Sequence, residues 1–331
     1  MPYFSKRVVC SAVYSIAVAF MSGGLAFGSL IINPTFNDAA MSTAGLNAGQ
    51  IASVHTAFAA AAAQITSNFT DPIHININVT AVGGTGTLGS SNTPLQGFSY
   101  AGIGGVRTAL AADSKTADDA TALGVGGSVP AADPVGGSHL WWVTRAEAKA
   151  IGLQADDLTN DGTFTFGAGF NYSFDPNSVG AGQFDFEGVA MHEISEIMGR
   201  IGLLGVTLGG RPGGEADYML YDLDRFTAAG SRSMTNGNNI YFSIDNGTTN
   251  LKGYNFPNGN GSDAQDWAAG VDDSFDAFSN SGVRNPLTLV DLRAMDVIGY
   301  DRTAPVPEPS TGMLFFVAMG LAGLIGRRVS S

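Results

Sequence analysis

The chain of 331 residues has a single cysteine, Cys10, and it lies in an apolar N-terminal stretch. If that stretch is removed, disulfides, thiol catalysis and thiolate metal ligands are all excluded, leaving histidine and carboxylates as ligands for any metal. Histidine is scarce too, at four residues. Charged residues make up 14%, below the roughly 25% of an average soluble domain. Setting aside Lys6, Arg7, Glu308, Arg327 and Arg328 near the two ends, 12 basic residues face 28 acidic ones. Such a surface repels phosphate backbones, so nucleic acid is not expected as a partner. What is present is 44% hydrophobic residues, enough for a substantial core, and 45 glycines. Glycine at about twice its usual share of roughly 7% favours turns and loops over a helical bundle.

Both ends read as addresses. Residues 1–26 combine a basic pair, Lys6-Arg7, an apolar run from Val8 to Met21 and small residues before Ala26. This is the pattern of a secretory signal peptide. Residues 305–331 contain Pro307-Glu308-Pro309, an apolar run from Gly312 to Gly326, and Arg327-Arg328. As a short transmembrane helix that run would rise ~22 Å, less than a ~30 Å hydrocarbon core. The three-part pattern resembles the PEP-CTERM sorting signal of Gram-negative bacteria. That resemblance implies export, recognition by an exosortase, transient membrane contact through the tail, and an extracellular or surface-polymer location.

Between them lies a body at 27–304. An Ala-rich stretch at 45–68 reads as a helix ending before Asp71-Pro72, and Ile73–Val79 alternates as a half-buried strand. Residues 81–97 read as loop, and 105–123 as helix. Leu140–Val143 and Phe164–Phe166 read as strands. Thr144 with Glu147, and Thr288 with Asp291, mark the starts of two further helices. Asp263 to Asp276 lacks the spacing of a calcium loop and reads as a solvated acidic loop. His139, beside Trp141 and Trp142, reads as structural or surface.

The stretch "MHEISEIMGR", residues 191–200, carries the chemistry. On a wheel of about 100° per residue, Ile197, Met198 and Ile201 fall within about 60° of Ile194. His192 and Glu196 lie together at about 160° and 200°, one turn apart, with Gly199 beside them at about 140°. Taken alone, the pattern also fits an amphipathic helix whose polar face merely carries His and Glu.

"HEISEIMGRIG" resembles the zinc motif H-E-x-x-H-x-x-G-x-x-H of the metzincin metallopeptidases at His192, Glu193 and Gly199. It departs at Glu196 and at Gly202, where the second and third histidines would stand. With "DPIHININVT", "YDLDRF" and "DLRAMDVIGYD", the body from about residue 40 to 301 resembles a secreted bacterial family of PEP-CTERM-tagged metalloproteases. The resemblance implies an α+β, metzincin-like zincin domain: a twisted mixed sheet, an active-site helix and an irregular C-terminal subdomain. It implies a metal-dependent endopeptidase acting on protein or peptide, with His192 and Glu196 on zinc or another divalent metal and Glu193 as general base. A carboxylate is needed as third ligand, Asp222 first and Asp217 second. Met219 reads as a core residue rather than the methionine of a Met-turn. The rival is a non-catalytic surface or matrix protein that keeps the fold.

Overall fold

The computed structural model describes residues 29–136, 139–208, 216–259, 262–268, 270 and 272–303. The stretches read as signal peptide and sorting signal therefore lie outside the described residues.

In chain order the elements begin with β1 (Ile31–Phe36), α1 (Asp38–Thr43), α2 (Ala48–Thr66), β2 (His74–Val82), β3 (Gly89–Asn92) and β4 (Leu95–Phe98). Then come α3 (Val106–Asp113), α4 (Ala117–Leu123), β5 (Trp141–Thr144), α5 (Arg145–Ala150) and β6 (Gly162–Gly167). β7 (Tyr172–Ser173) and β8 (Phe184–Asp185) lead into α6 (Phe186–Ile197). The rest is β9 (Tyr218–Met219), a 3-10 turn at Leu220–Asp224, β10 (Arg225–Ala228), β11 (Ser231–Arg232), β12 (Tyr241–Phe242), β13 (Lys252–Gly253) and α7 (Leu289–Val297). The fold is α+β.

Its centre is a mixed sheet in the order β1-β2-β6-β3. The first three strands run parallel and β3 pairs antiparallel with β6. In β2 the residues Ile75, Ile77, Val79 and Ala81 are buried, while Asn76 and Asn78 face the other side. Period-2 alternation puts one apolar row on the core face. Helices α2 and α6 pack against each other and onto this sheet. α2 begins on a capping box, with Asn47 accepting from the Gln50 N–H and Gln50 returning the bond. Its buried stripe is Val54, Ala57, Phe58, Ala61, Ala62 and Ile65. The alanines in that stripe let a second helix approach closely.

Two expectations need correction here. Residues 81–97 contain β3 and β4, and the 105–123 helix is broken into α3 and α4 at Ser114. β3 is "GSSN", half-buried on one face and exposed on the other, so it carries no apolar alternation. Just past Ser114, Thr116 and Asp119 form a fresh capping box that restarts the chain as α4. The capping boxes at Thr144–Glu147 and Thr288–Asp291 both form, opening α5 and α7. After α6 the elements are short; β11-β10-β12-β13 make a second four-stranded sheet, and β9 joins β4 and β5 in a three-stranded one. None of the described helices is long and apolar enough to cross a membrane.

Candidate metal centre

Helix α6 is fixed at both ends. Asp185 caps its N-terminus by accepting from the Glu187 N–H, and its other oxygen accepts from the Asn285 N–H at 2.9 Å. Phe186 sits edge-on to Phe166 at 5.2 Å and to Tyr172 at 5.4 Å, anchoring the first turn on β6 and β7. Of the anticipated stripe, Ile201 lies past the helix end, half-buried at the cleft, because the chain has already reversed, while Ile194, Ile197 and Met198 are fully buried. Gly162 on β6 makes that contact possible, since a Cβ there would stand 2.7 Å from Ile197.

Past Ile197 the chain reverses in a Schellman motif. Gly199, at φ +121°, donates to the Glu196 carbonyl at 3.0 Å, and Arg200 donates to the Ser195 carbonyl at 3.0 Å. Glycine is needed twice over: the left-handed backbone disfavours a side chain, and a Cβ would stand 2.7 Å from the buried Glu147 carboxylate. Gly199 thus closes the helix and does not stand on the helical wheel beside His192 and Glu196. The reversal carries Arg200 back under the helix, where its Nε donates to Ser195 Oγ at 2.7 Å.

The face opposite the stripe is buried as well. Glu193 is 5% exposed and Glu196 7%. His192 Nε2 stands 3.3 Å from Glu196 Oε1 and 3.5 Å from Asp266 Oδ1. Its Nδ1 lies 2.9 Å from the Ser274 carbonyl, which can only accept, so Nδ1 carries a proton and Nε2 is turned to the two carboxylates. Ser91 Oγ, from β3, donates to Glu196 Oε2 at 2.7 Å. Arg200 Nη1 donates to Asp266 Oδ1 at 2.6 Å, and its Nη2 lies 3.6 Å from Glu196 Oε1. The guanidinium is itself held over the Phe275 ring, 4.4 Å from its centre.

The electrostatics follow. Burial and the Arg200 charge disfavour a protonated His192, but Asp266 and the bonded Glu196 outweigh them and hold it up at about 9. Burial disfavours an ionised Glu196, but the His192 bond and charge, helped by Arg200 and Ser91, bring it down to about 2. Glu193 goes the other way. Burial first, then the charge of Glu196, push it well above the carboxylate range. Its Oε2 is buried with no hydrogen-bond partner. Its Oε1 lies over β3, where a Cβ on Gly89 would be 2.4 Å away, so that glycine makes the space for the carboxylate.

Ser91, His192, Glu193, Glu196, Asp266 and Ser274 all face one cleft of about 520 Å³, with Arg200 buried behind it. One wall is β3 with Thr93 and Leu95, the floor is α6, and the far wall includes Asp263, Asp266, Asp273, Ser274 and Asp276. His192, Glu193 and Glu196 each place a ligand atom within 4.8 Å of the others, as do Glu196, Asp263 and Asp266. One imidazole nitrogen and at least two carboxylates, converging on a cleft, form a donor set that can hold a divalent cation.

The structure does not bring Asp222 or Asp217 to this cluster. Asp222 is 0% exposed, and its Oδ2 accepts the N–H groups of Leu203, Leu204 and Met219 at 3.0–3.1 Å. It braces the turn around Gly202, whose Cβ would lie 2.1 Å from Asp222 Oδ1. Asp217 accepts from Leu140 N and Leu208 N. The carboxylate beside His192 is Asp266, from the run expected to be solvated. That run is largely buried: Trp267 is 0% exposed and its indole donates to Asp291 at 2.7 Å, clamping the segment to α7. Met219 is a buried residue of β9. His139 pairs with Asp133 at 3.0 Å and meets Trp141 and Tyr218 edge-on, a packing role.

A protein-family profile described as a PEP-CTERM protein-sorting motif matches residues 305–329. No curated protein and no solved structure matches the chain. The matched motif marks an exported bacterial protein, associated with the cell surface or exterior, whose tail is recognised by a sorting enzyme of the exosortase type.

Proposed function

We propose that the body is a metal-dependent endopeptidase of zincin type, metzincin-like in its active-site helix, with His192, Glu196 and Asp266 as ligands and Glu193 as general base. The observation that carries the reading is the spacing around His192 Nε2, 3.3 Å to Glu196 Oε1 and 3.5 Å to Asp266 Oδ1. Zinc bonds of about 2.0–2.2 Å put tetrahedral ligands about 3.3–3.6 Å apart. A divalent metal bound there would supply Lewis acidity and a more acidic water. Ser274 fixes the His192 ring through Nδ1, and Ser91 fixes Glu196, so both ligands are oriented from the surrounding shell.

Glu193 is suited to move a proton. It is buried, its Oε2 has no competing partner, and its affinity for a proton is raised. A base of that kind takes a proton from the attacking water and passes it to the leaving amine. Beside it, β3 pairs only with β6 among the described strands, and its residues line the cleft. An extended peptide laid along that edge gains main-chain hydrogen bonds without a fixed side-chain requirement.

Arg200 favours a second reading. Its guanidinium already neutralises Asp266 and Glu196, as it would in a non-catalytic surface protein that keeps the fold. One experiment separates the two. Purified protein should hold close to one metal per chain and hydrolyse an unfolded protein substrate, with loss on chelation and recovery on adding zinc. Absence of hydrolysis with every divalent metal tried would leave the non-catalytic reading.

A further inference from the structure

Away from the cleft, three more carboxylates converge. Asp71 lies in the turn between α2 and β2, Asp113 is the last residue of α3, and Asp301 follows α7. Each offers an oxygen within 4.8 Å of the other two. The backbone holds them there: the Asp301 N–H donates to Asp71 Oδ2 at 3.1 Å, and the Thr70 N–H donates to the Asp301 carbonyl at 2.8 Å. Asp71 is 1% exposed, yet its Oδ1 has no hydrogen-bond partner. A buried acceptor in that state raises the free energy of the fold unless something meets it.

Lys115 is the only cation that the described residues bring against the cluster. Its ammonium bonds Asp301 and stands 3.7 Å from Asp113 Oδ1. One ammonium faces three carboxylates, and its side chain is 58% exposed, so it can swing away into water. The donors are oxygens alone, with no nitrogen or sulfur ligand, which selects hard cations over zinc or copper.

We infer that Asp71, Asp113 and Asp301 bind a hard divalent cation, calcium by their chemistry, at the seam where the end of the body meets the α2–β2 turn. Carboxylates in bidentate mode and water complete the six to eight oxygens that calcium takes. The cation would join three segments far apart in sequence, and Lys115 would be its internal competitor. An exported protein meets calcium at concentrations matched by sites of about 0.1–1 mM affinity. The inference does not depend on whether the cleft is catalytic.

The test is calcium titration by calorimetry on the full-length chain, stripped with a chelator and carrying Glu196→Ala so that the cleft cannot answer instead. A saturable site is expected, weakened at least tenfold by Asp113→Asn and tightened severalfold by Lys115→Met. If Asp113→Asn does not fold, Lys115→Met still decides, because a plain ion-pair cluster would lose a partner and gain no calcium affinity. No saturable calcium binding, or the same affinity with and without Lys115→Met, overturns the inference.

Discussion

The cleft cluster and the seam cluster are built from similar acids but differ in what faces them. In the cleft, His192 and Arg200 oppose Glu196 and Asp266, so two cations meet two anions inside the fold. At the seam, three aspartates meet the single exposed Lys115. A nitrogen ligand on a rigid helix suits a borderline metal, and an all-oxygen set on loop ends suits a hard one. Burial works on both sites, but only in the cleft is the charge of the carboxylates matched from within. Glu193 is the exception there. Its Oε2 is left without a partner beside matched neighbours, the separation that the proposed roles of base and ligands call for.

The sharpest break of this comparison is Glu193→Gln. It keeps size and removes basicity, so peptide hydrolysis should fall at least ~100-fold while metal content, measured by elemental analysis, stays constant. Asp113→Asn at the seam should leave hydrolysis unchanged. Equal loss in both variants would mean that the two sites are not separate.

Next in size is the pH response of the cleft. A metal displaces the proton that Asp266 and Glu196 hold on His192, whose pKa is about 9. Zinc affinity should therefore climb about tenfold per pH unit from pH 6.5 and flatten near 9, checked by competition with a chromophoric chelator. Metal-free stability should move oppositely. A histidine with a raised folded pKa contributes fully below its unfolded value near 6.5, and that contribution is lost as pH rises through about 9. A flat zinc affinity over this range would remove His192 from the ligand set.

Asp222→Asn sharpens the comparison from the side of structure. It should cost roughly 1–3 kcal/mol in chemical denaturation, because the amide oxygen left to accept the three backbone N–H groups lacks the negative charge that strengthens those bonds. Zinc affinity should stay within about twofold. Gly89→Ala should cost a similar amount. The new methyl meets the tip of Glu193, which can move, but it also stands 2.8 Å from the buried Val189 Cγ1, which cannot, so the cost falls within the roughly 1–3 kcal/mol of overpacked sites. Hydrolysis should fall as well, since the displaced atom belongs to the proposed base.

Much of the scaffold was legible. α2, β2 and α6 carry strong periodicity, and two capping boxes announced α5 and α7 through residues that bond their own first turn. β3 was not legible. An edge strand with one face toward a polar cleft has no apolar row to show, and "GSSN" reads as loop. His192, Glu193 and Glu196 could be read because one helix sets their geometry by spacing alone. Asp266 could not, because its place depends on Trp267 reaching Asp291 and on Arg200 folding back through the Gly199 reversal. Asp222 was plausible by sequence proximity, but its oxygens serve a turn. The overlooked signal was a tryptophan within an acid-rich run, unusual for a solvated loop.

The pairing of residues 68–71 with 301–303 also has a mechanical side. The sorting motif begins at residue 305, so any pull exerted through the tail enters the body at Thr303. There it first meets the Thr303 N–H bond to the Asn68 carbonyl at 2.8 Å, then the Phe69–Arg302 bridge and the Arg302–Asp118 ion pair at 3.0 Å. Behind them stands Asp301, tied to Asp71 and Thr70. These bonds would peel one after another, so the fold resists traction only as well as each in turn. A cation shared by Asp71, Asp113 and Asp301 would act as a rivet at the third step, spreading the load from one strand into α3 and the α2–β2 turn.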